Sequence, residues 1–153
     1  MTRPLSNIIF MTGSIFTTSC NCMVNPVNTV GVMGGGLARE FKRKFPHMYT
    51  LYREACVQDK LHVGSIMFYR QKVEATNIIC LFPTKQHWRD PSTTEYIEDG
   101  LRAFVKYYPS WHITSVAFPK LGCGLGGLDW SYHVRPLMIK YLDGLPIPVE
   151  IYE

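Results

Sequence analysis

No apolar run in the 153-residue sequence approaches the roughly 18 residues needed to cross a bilayer. The opening stretch, MTRPLSNIIFMTGS, has one arginine and a very short apolar run, and lacks the apolar region and cleavage site of a secretory signal. These two absences predict a cytoplasmic protein with no membrane partner. The five cysteines (Cys20, Cys22, Cys56, Cys80 and Cys123) are odd in number and irregularly spaced, and CNC is not the C-x-x-C of a zinc or redox pair. They are expected to be buried, reduced thiols, and no His/Cys/Asp cluster has metal-ligand spacing, so no metal or cofactor is implied. A large excess of one charge sign is lacking as well, with 16 Lys and Arg against 12 Asp and Glu. A net charge of +4 permits an anionic ligand or nucleic acid without requiring either. The one basic cluster, REFKRKF at 39–45, reads as a solvated helix face. Internal repeats and low-complexity tracts are also lacking.

What remains is an ordinary globular composition, 46% apolar and 18% charged, of a length that suits one domain over residues 1–153 with a single core. Short apolar runs bounded by glycine, proline or asparagine predict strands at 7–13, within 19–28 (ending in a turn at Asn25-Pro26), at 64–69 and 75–82 as a hairpin, at 112–119 and at 147–153. Apolar residues at three- and four-residue spacing predict helices at 34–46, 47–58, 92–108 and 128–144. Ser92 with Glu95 matches a capping box, Asp129 is placed to cap the last helix, and Pro136 predicts a kink or a division into two pieces. Strands and helices that alternate in this way predict a sheet between helical layers, with ligands held at the carboxyl ends of strands.

Two strand-to-helix loops are rich in glycine: VNPVNTVGVMGGGLA (24–38) and FPKLGCGLGGLDW (118–130). Glycine admits close backbone approach, and a helix amino terminus after such a loop offers N–H groups to phosphate. Two such loops at one edge of a sheet suit a diphosphate. Neither has the G-x-x-x-x-G-K-[ST] or G-x-G-x-x-G spacing of the common nucleotide fingerprints. The amides of Asn25 and Asn28, beside the first loop, either cap backbone or bond a ribose diol. A third stretch, FPTKQHWRDPS (82–92), is too polar for a core and too aromatic for an ordinary surface loop. Trp88 either stacks on an unpaired base or packs onto the domain. Arg89 either pairs with a backbone phosphate or serves the following helix. For His87 a structural or exposed role stands ahead of a catalytic one.

Taken together, VNPVNTVGVMGGGLAREFKRKFP, FPTKQHWRDPS and LGCGLGGLDW resemble the macrodomain superfamily, over nearly the whole chain and in order. Within it they are most similar to the DNA ADP-ribosyl glycohydrolase antitoxins of the DarG type, and more distantly to the human terminal ADP-ribose protein glycohydrolase. The resemblance implies a three-layer α/β/α fold around a mixed, roughly six-stranded sheet. It also implies that the glycine loops enclose the diphosphate and distal ribose of ADP-ribose. The implied ADP-ribose site comprises Ser14 and Ile15 after the first strand, then Asn25, Asn28, Met33, Gly34, Gly35 and Gly36. Thr84 belongs to it too, with Gly122, Cys123, Gly124, Leu125 and Gly126 of the second loop. Lys85 falls on the lysine that carries catalysis in this branch, as nucleophile on the anomeric carbon or as proton carrier. His87, Trp88 and Arg89 are left for the nucleic-acid half of the substrate.

Two departures stand out. Ser14 occupies the place of an aspartate that bonds the adenine amino group, and Gly126 the place of the human relative's catalytic aspartate. The antitoxins usually carry a further domain, so a stand-alone monomeric enzyme is expected. The implied activity is removal of ADP-ribose from a modified DNA base, thymidine by the family comparison, in single-stranded DNA. An ADP-ribose 1''-phosphate phosphatase, a non-catalytic ADP-ribose reader and a protein de-ADP-ribosylase are the alternatives.

Overall fold

The computed structural model describes residues 6–71 and 78–153. Six strands, β1 (Ile8–Met11), β2 (Cys22–Val27), β3 (Met67–Arg70), β4 (Ile78–Pro83), β5 (Val116–Phe118) and β6 (Val149–Tyr152), form one sheet in the order β1-β6-β5-β2-β4-β3. All neighbours are parallel except β3, which runs antiparallel to β4 at the edge. The helices are α1 (Gly36–Lys44), α2 (Pro46–Val57), α3 (Thr94–Tyr107) and α4 (Arg135–Leu142).

Both faces of the sheet are covered, as a mostly parallel sheet requires. On one face Cys22, Val24, Cys80, Phe82 and Phe118 pack against Ile97, Leu101 and Phe104 of α3 and Met138 and Leu142 of α4. On the other, Met23, Ile79 and Leu81 pack against Phe41 of α1 and Met48, Tyr52 and Ala55 of α2. The alternation of Cys22 and Val24 with Met23 is the period-two signature of a strand buried on both sides. Gly100 lets α3 lie close to β4: a Cβ there would stand 2.3 Å from Phe82 Cζ.

The mixed sheet and its layers agree with the expectation from sequence, with local corrections. β2 runs straight through Asn25-Pro26 rather than turning there. Pro26 lies beyond the two residues, Cys22 and Met23, that pair with β5, so its missing N–H leaves that ladder intact. The 112–119 strand contracts to Val116–Phe118, because Tyr108–Trp111 forms a 3₁₀ turn ended by His112 in the left-handed region. The hairpin of β3 and β4 is present, and the expected strand residues 75–77 lie outside the described residues. The predicted 128–144 helix is two pieces: Trp130–Val134 is a π-helical turn and α4 follows, with Pro136 in its first turn. Asp129 caps the first piece, accepting from the Tyr132 N–H at 2.6 Å.

The cap of α3 is also displaced by one residue from its predicted position. Thr93, not Ser92, accepts from the Tyr96 N–H, at 3.2 Å. Ser92 is drawn instead into the second glycine loop, where its N–H donates to the Gly126 carbonyl at 3.0 Å. Thr93→Ala is therefore expected to lower stability by about 1 kcal/mol, read as a fall in thermal midpoint. A midpoint unmoved by that change would return the cap to Ser92.

Candidate functional site

β5, β2 and β4 are side by side and parallel, so the loops that leave their carboxyl ends emerge together. These are the first glycine loop after β2, the 84–92 loop after β4 and the second glycine loop after β5. The chain leaves β2 toward β4 and returns through α3 to β5 on the other side of β2. Such a reversal of direction opens a crevice at the carboxyl edge of an open sheet.

Side chains and backbone tie the three loops to one another. Leu125 of the second loop leans across to the first, where a Cβ at Gly35 would stand 3.3 Å from Leu125 Cδ1. The first loop is joined to the 84–92 loop by Thr29, whose N–H and Oγ1 donate to the Gln86 carbonyl at 3.0 and 3.1 Å. The second loop is joined to the 84–92 loop by the Ser92–Gly126 hydrogen bond. Thr84 N–H donates to the Val27 carbonyl at 2.8 Å, which extends the β2–β4 ladder into the site. The site residues predicted on these loops are thus gathered at one edge.

The first loop is shaped from within. Asn28 accepts at Oδ1 from the Val30 and Val32 N–H groups, and its Nδ2 donates to the Val32 carbonyl at 2.8 Å. The Tyr52 hydroxyl from α2 lies 2.8 Å from both the Asn28 carbonyl and Oδ1. Burial pushes the Tyr52 phenol far above its ordinary titration range, so it remains a donor. Of the alternatives for Asn28, backbone capping is present, with one N–H of its amide left for a ligand.

Asn25 is wholly buried. Its Nδ2 faces the sulfurs of Met33 and Met48 at 3.8 and 3.9 Å, and its Oδ1 has no partner. The Met33 side chain is buried too, so only its backbone is offered on the loop surface. Gly34 and Gly36 are exposed and Gly35 caps α1, with Gly36 in the left-handed region at φ +58°. On the second loop Gly124 and Leu125 are exposed, Cys123 is half-buried, and Gly122 and Gly126 are buried. Burial pushes the Cys123 thiol up to about 11, which keeps it protonated beside the loop.

After β1, Ser14 is exposed and caps a 3₁₀ turn (Ile15–Thr17), its Oγ accepting from the Phe16 N–H at 3.2 Å. Ile15 is buried against Ala117 and Tyr152. Ser14 therefore has its own structural work at the place where the resemblance expects an aspartate.

Lys85 is 9% exposed, and its Nζ reaches the Trp88 carbonyl at 3.5 Å. Burial lowers its proton affinity below that of an ordinary lysine, and the Asp90 carboxylate partly offsets this. Sequence alone allowed a surface lysine here, and the structure does not place it at the surface. Trp88 does not pack down onto the domain, being 49% exposed, and the exposed Arg89 guanidinium lies 4.6 Å from its ring centre. The His87 ring tilts against Trp88, with ring centres 5.0 Å apart, and its Nδ1 accepts from the Arg89 N–H at 3.1 Å. The result is an open aromatic–cationic platform beside a covered amine.

Sequence reasoning missed Ser92, Thr29 and Tyr52 as the residues that hold the loops in place. Ser92 carries a local signal for a helix cap rather than for this role, and Thr29 has none other than being a hydroxyl residue in a loop. Tyr52 lies in a helix, 24 residues from its partner. Among the described residues no group of His, Cys, Asp and Glu converges as a metal site, and no helix is long and apolar enough to cross a membrane.

The profile of the Macro domain family matches residues 24–136, from within β2 through both glycine loops. The chain belongs to the macro domain family. The DNA ADP-ribosyl glycohydrolase of Thermus aquaticus is 40% identical to this macro domain over 146 residues, which covers 94% of this chain and 40% of that protein. The solved macrodomain of Thermus aquaticus DarG superposes with a TM-score of 0.90 at 39% identity, over 95% of this chain and 97% of the other. Thermosipho africanus DarTG, solved in complex with ADP-ribose, superposes with a TM-score of 0.88 at 41% identity, over 94% of this chain and 41% of the other. This macro domain spans about two-fifths of the length of the curated relatives it matches first.

Proposed function

We propose that this macro domain binds ADP-ribose between its two glycine loops and hydrolyses the bond joining it to a base of single-stranded DNA, thymidine by family comparison. The observation that carries the reading is the covered Lys85 amine, at the edge where the glycine loops meet, next to the exposed Trp88–Arg89 stack. Similarity at 40% identity to a protein named DNA ADP-ribosyl glycohydrolase supports it, as does the likeness to a structure solved with ADP-ribose.

The first glycine loop and the amino terminus of α1 offer N–H groups to the diphosphate. Asn28 turns its remaining amide N–H to the distal ribose. In the reaction the bond between the anomeric carbon and the base nitrogen breaks, and water supplies hydroxyl to the carbon and a proton to the base. The Lys85 amine acts either as nucleophile on that carbon, in a bond that water then breaks, or as proton carrier to the leaving base, and its lowered proton affinity favours the free base that the first role needs. Position 126 is glycine and Asp129 is committed to capping the Trp130–Val134 turn, so Lys85 acts without a carboxylate partner from the second loop.

The test is release of ADP-ribose from single-stranded DNA bearing ADP-ribosyl-thymidine, beside ADP-ribosyl-glutamate peptide and ADP-ribose 1''-phosphate. Preference for the DNA supports the reading. Preference for peptide or phosphate ester, or tight binding with no turnover, would replace it with the corresponding alternative.

Trp88 gives a second expectation. Base stacking on an aromatic ring contributes about 1–3 kcal/mol, so Trp88→Ala is expected to raise KM for the modified oligonucleotide by about 5- to 150-fold. Affinity for free ADP-ribose is expected to stay as it was, measured by calorimetry. Equal losses for both ligands would place Trp88 in the ADP-ribose pocket instead.

A further inference from the structure

We propose that the outer face of α1 is the track for the phosphate backbone of the single-stranded DNA whose modified base lies at the 84–92 loop. The proposal rests on the glycohydrolase reading above and adds to it a surface outside the ADP-ribose pocket. In nine residues α1 carries Arg39, Lys42, Arg43 and Lys44 against a single carboxylate, Glu40, and all five are exposed. Most of the chain's net charge of +4 is thus concentrated on one short helix.

None of the four cations lies within ion-pair distance of a carboxylate among the described residues. Elsewhere Arg102 pairs with Glu98 and Asp99, and Lys140 with Glu98. Arg39, Lys42 and Arg43 stand at three- and four-residue spacing, so they share one face and repel one another. The helix dipole accounts for cations in the last turn of α1. It does not account for Arg39, which lies near the amino end where a positive charge is disfavoured. A polyanion running along this face would relieve both the repulsion and the mismatch with the dipole.

The face is continuous with the site. Lys42 Nζ lies 4.4 Å from the ring centre of Tyr49, and the Tyr49 hydroxyl donates to the Gly31 carbonyl in the first glycine loop at 3.4 Å. Two residues earlier in that loop, Thr29 bonds Gln86, the residue after Lys85. On the opposite flank Lys44 Nζ lies 5.0 Å from the Phe16 ring, next to the Ser14 turn. Lys42 and Lys44 are thus each held over a ring on a neighbouring element, Tyr49 of α2 and Phe16 of the turn after β1. With Trp88 and Arg89 they form the combination of aromatic platform and positive groove that sequence-independent single-strand binders use.

The test is the triple variant Arg39→Gln, Lys42→Gln, Arg43→Gln, its fold checked by thermal midpoint. It is assayed on ADP-ribosyl-thymidine within a single-stranded oligonucleotide and as the mononucleotide. On the oligonucleotide kcat/KM is expected to fall at least about tenfold at low salt, and the slope of log kcat/KM against log salt to become shallower by about two, at ~0.7 per neutralised phosphate. Turnover of the mononucleotide is expected to be unchanged. Unchanged oligonucleotide kinetics, or equal losses on both substrates, would overturn the proposal. Should the wild type cleave neither substrate, the glycohydrolase reading fails on its own. The track is then read by binding of unmodified oligothymidylate: weaker binding by the variant sustains it, and equal binding removes it.

Discussion

In Lys85→Ala, release of ADP-ribose from modified single-stranded DNA is expected to fall about a thousandfold, within the 10²–10⁴ that a positioned proton-transfer group contributes, or about 4 kcal/mol of barrier. ADP-ribose affinity is expected to be little changed, because the residues proposed to hold the diphosphate and ribose lie on the two glycine loops. Lys85→Arg is not expected to restore turnover, since a guanidinium stays charged and cannot present a free amine. The pH profile distinguishes what the lysine does. Burial favours the neutral amine and Asp90 favours the ammonium, with burial the larger influence. A free-amine role therefore predicts that kcat/KM rises with pH through a transition lying below that of an ordinary lysine. Asp90→Asn is expected to move that transition lower still, because it removes the charge that holds the proton. The bound diphosphate acts in the other sense, so the transition in kcat is expected at higher pH than that in kcat/KM. A rate that falls across the same range would assign proton donation to the leaving group instead. Full activity in Lys85→Ala would take the residue out of the chemistry.

Gly126→Ala is expected to lower stability by about 1–3 kcal/mol, the range for overpacking a filled site, and to weaken ADP-ribose binding as the second loop is displaced. A Cβ at position 126 would stand 2.4 Å from Ser92 Oγ and 2.5 Å from the Gly122 carbonyl oxygen. That carbonyl cannot swing aside freely, because it accepts from the Leu128 N–H at 2.9 Å. The backbone of Ser92 cannot retreat either, since its N–H is bonded to Gly126 itself, and its Oγ is already buried. At about 2–4 °C per kcal/mol for a chain of this size, the fall in thermal midpoint is readily measured. Gly124→Ala is the stability control: its Cβ would meet nothing within 4 Å, and its midpoint is expected to stay near the wild type. The same geometry bears on mechanism. Position 126, where the resemblance would set an aspartate, has no room for any side chain here, so Gly126→Asp is expected to impair the loop rather than add a catalytic partner. A stable and more active Gly126→Asp enzyme would refute that.

How much was legible in advance varies by element. The strands buried on both faces, such as Ile78–Pro83, stand where the apolar runs placed them, because burial on both faces leaves a continuous apolar signature. Residues at the ends of elements read less well. Ser92 and Thr93 are adjacent hydroxyl residues, either able to cap α3. The choice was made by a contact with Gly126, 34 residues away in sequence, which no local rule weighs. Pro26 misled for a similar reason: a proline reads as a turn unless one knows that the neighbouring strand has already ended. At the site, the glycine loops and Lys85 stood out through resemblance and composition. The roles of Asn25 and Asn28 did not separate, although one is sealed in the core and the other laces a loop.

By itself the sequence determined the layered α/β architecture, the family, and the residue types gathered for an anionic ligand. Hydrophobic periodicity and glycine placement are local properties, written in consecutive residues. Only the tertiary structure decided that Lys85 is covered while Trp88 and Arg89 stand open, and that Gly126 admits no side chain. Each of these is set by contacts between segments distant in the chain. Burial, steric room and the proton affinity of an amine depend on those neighbours and not on the residue alone.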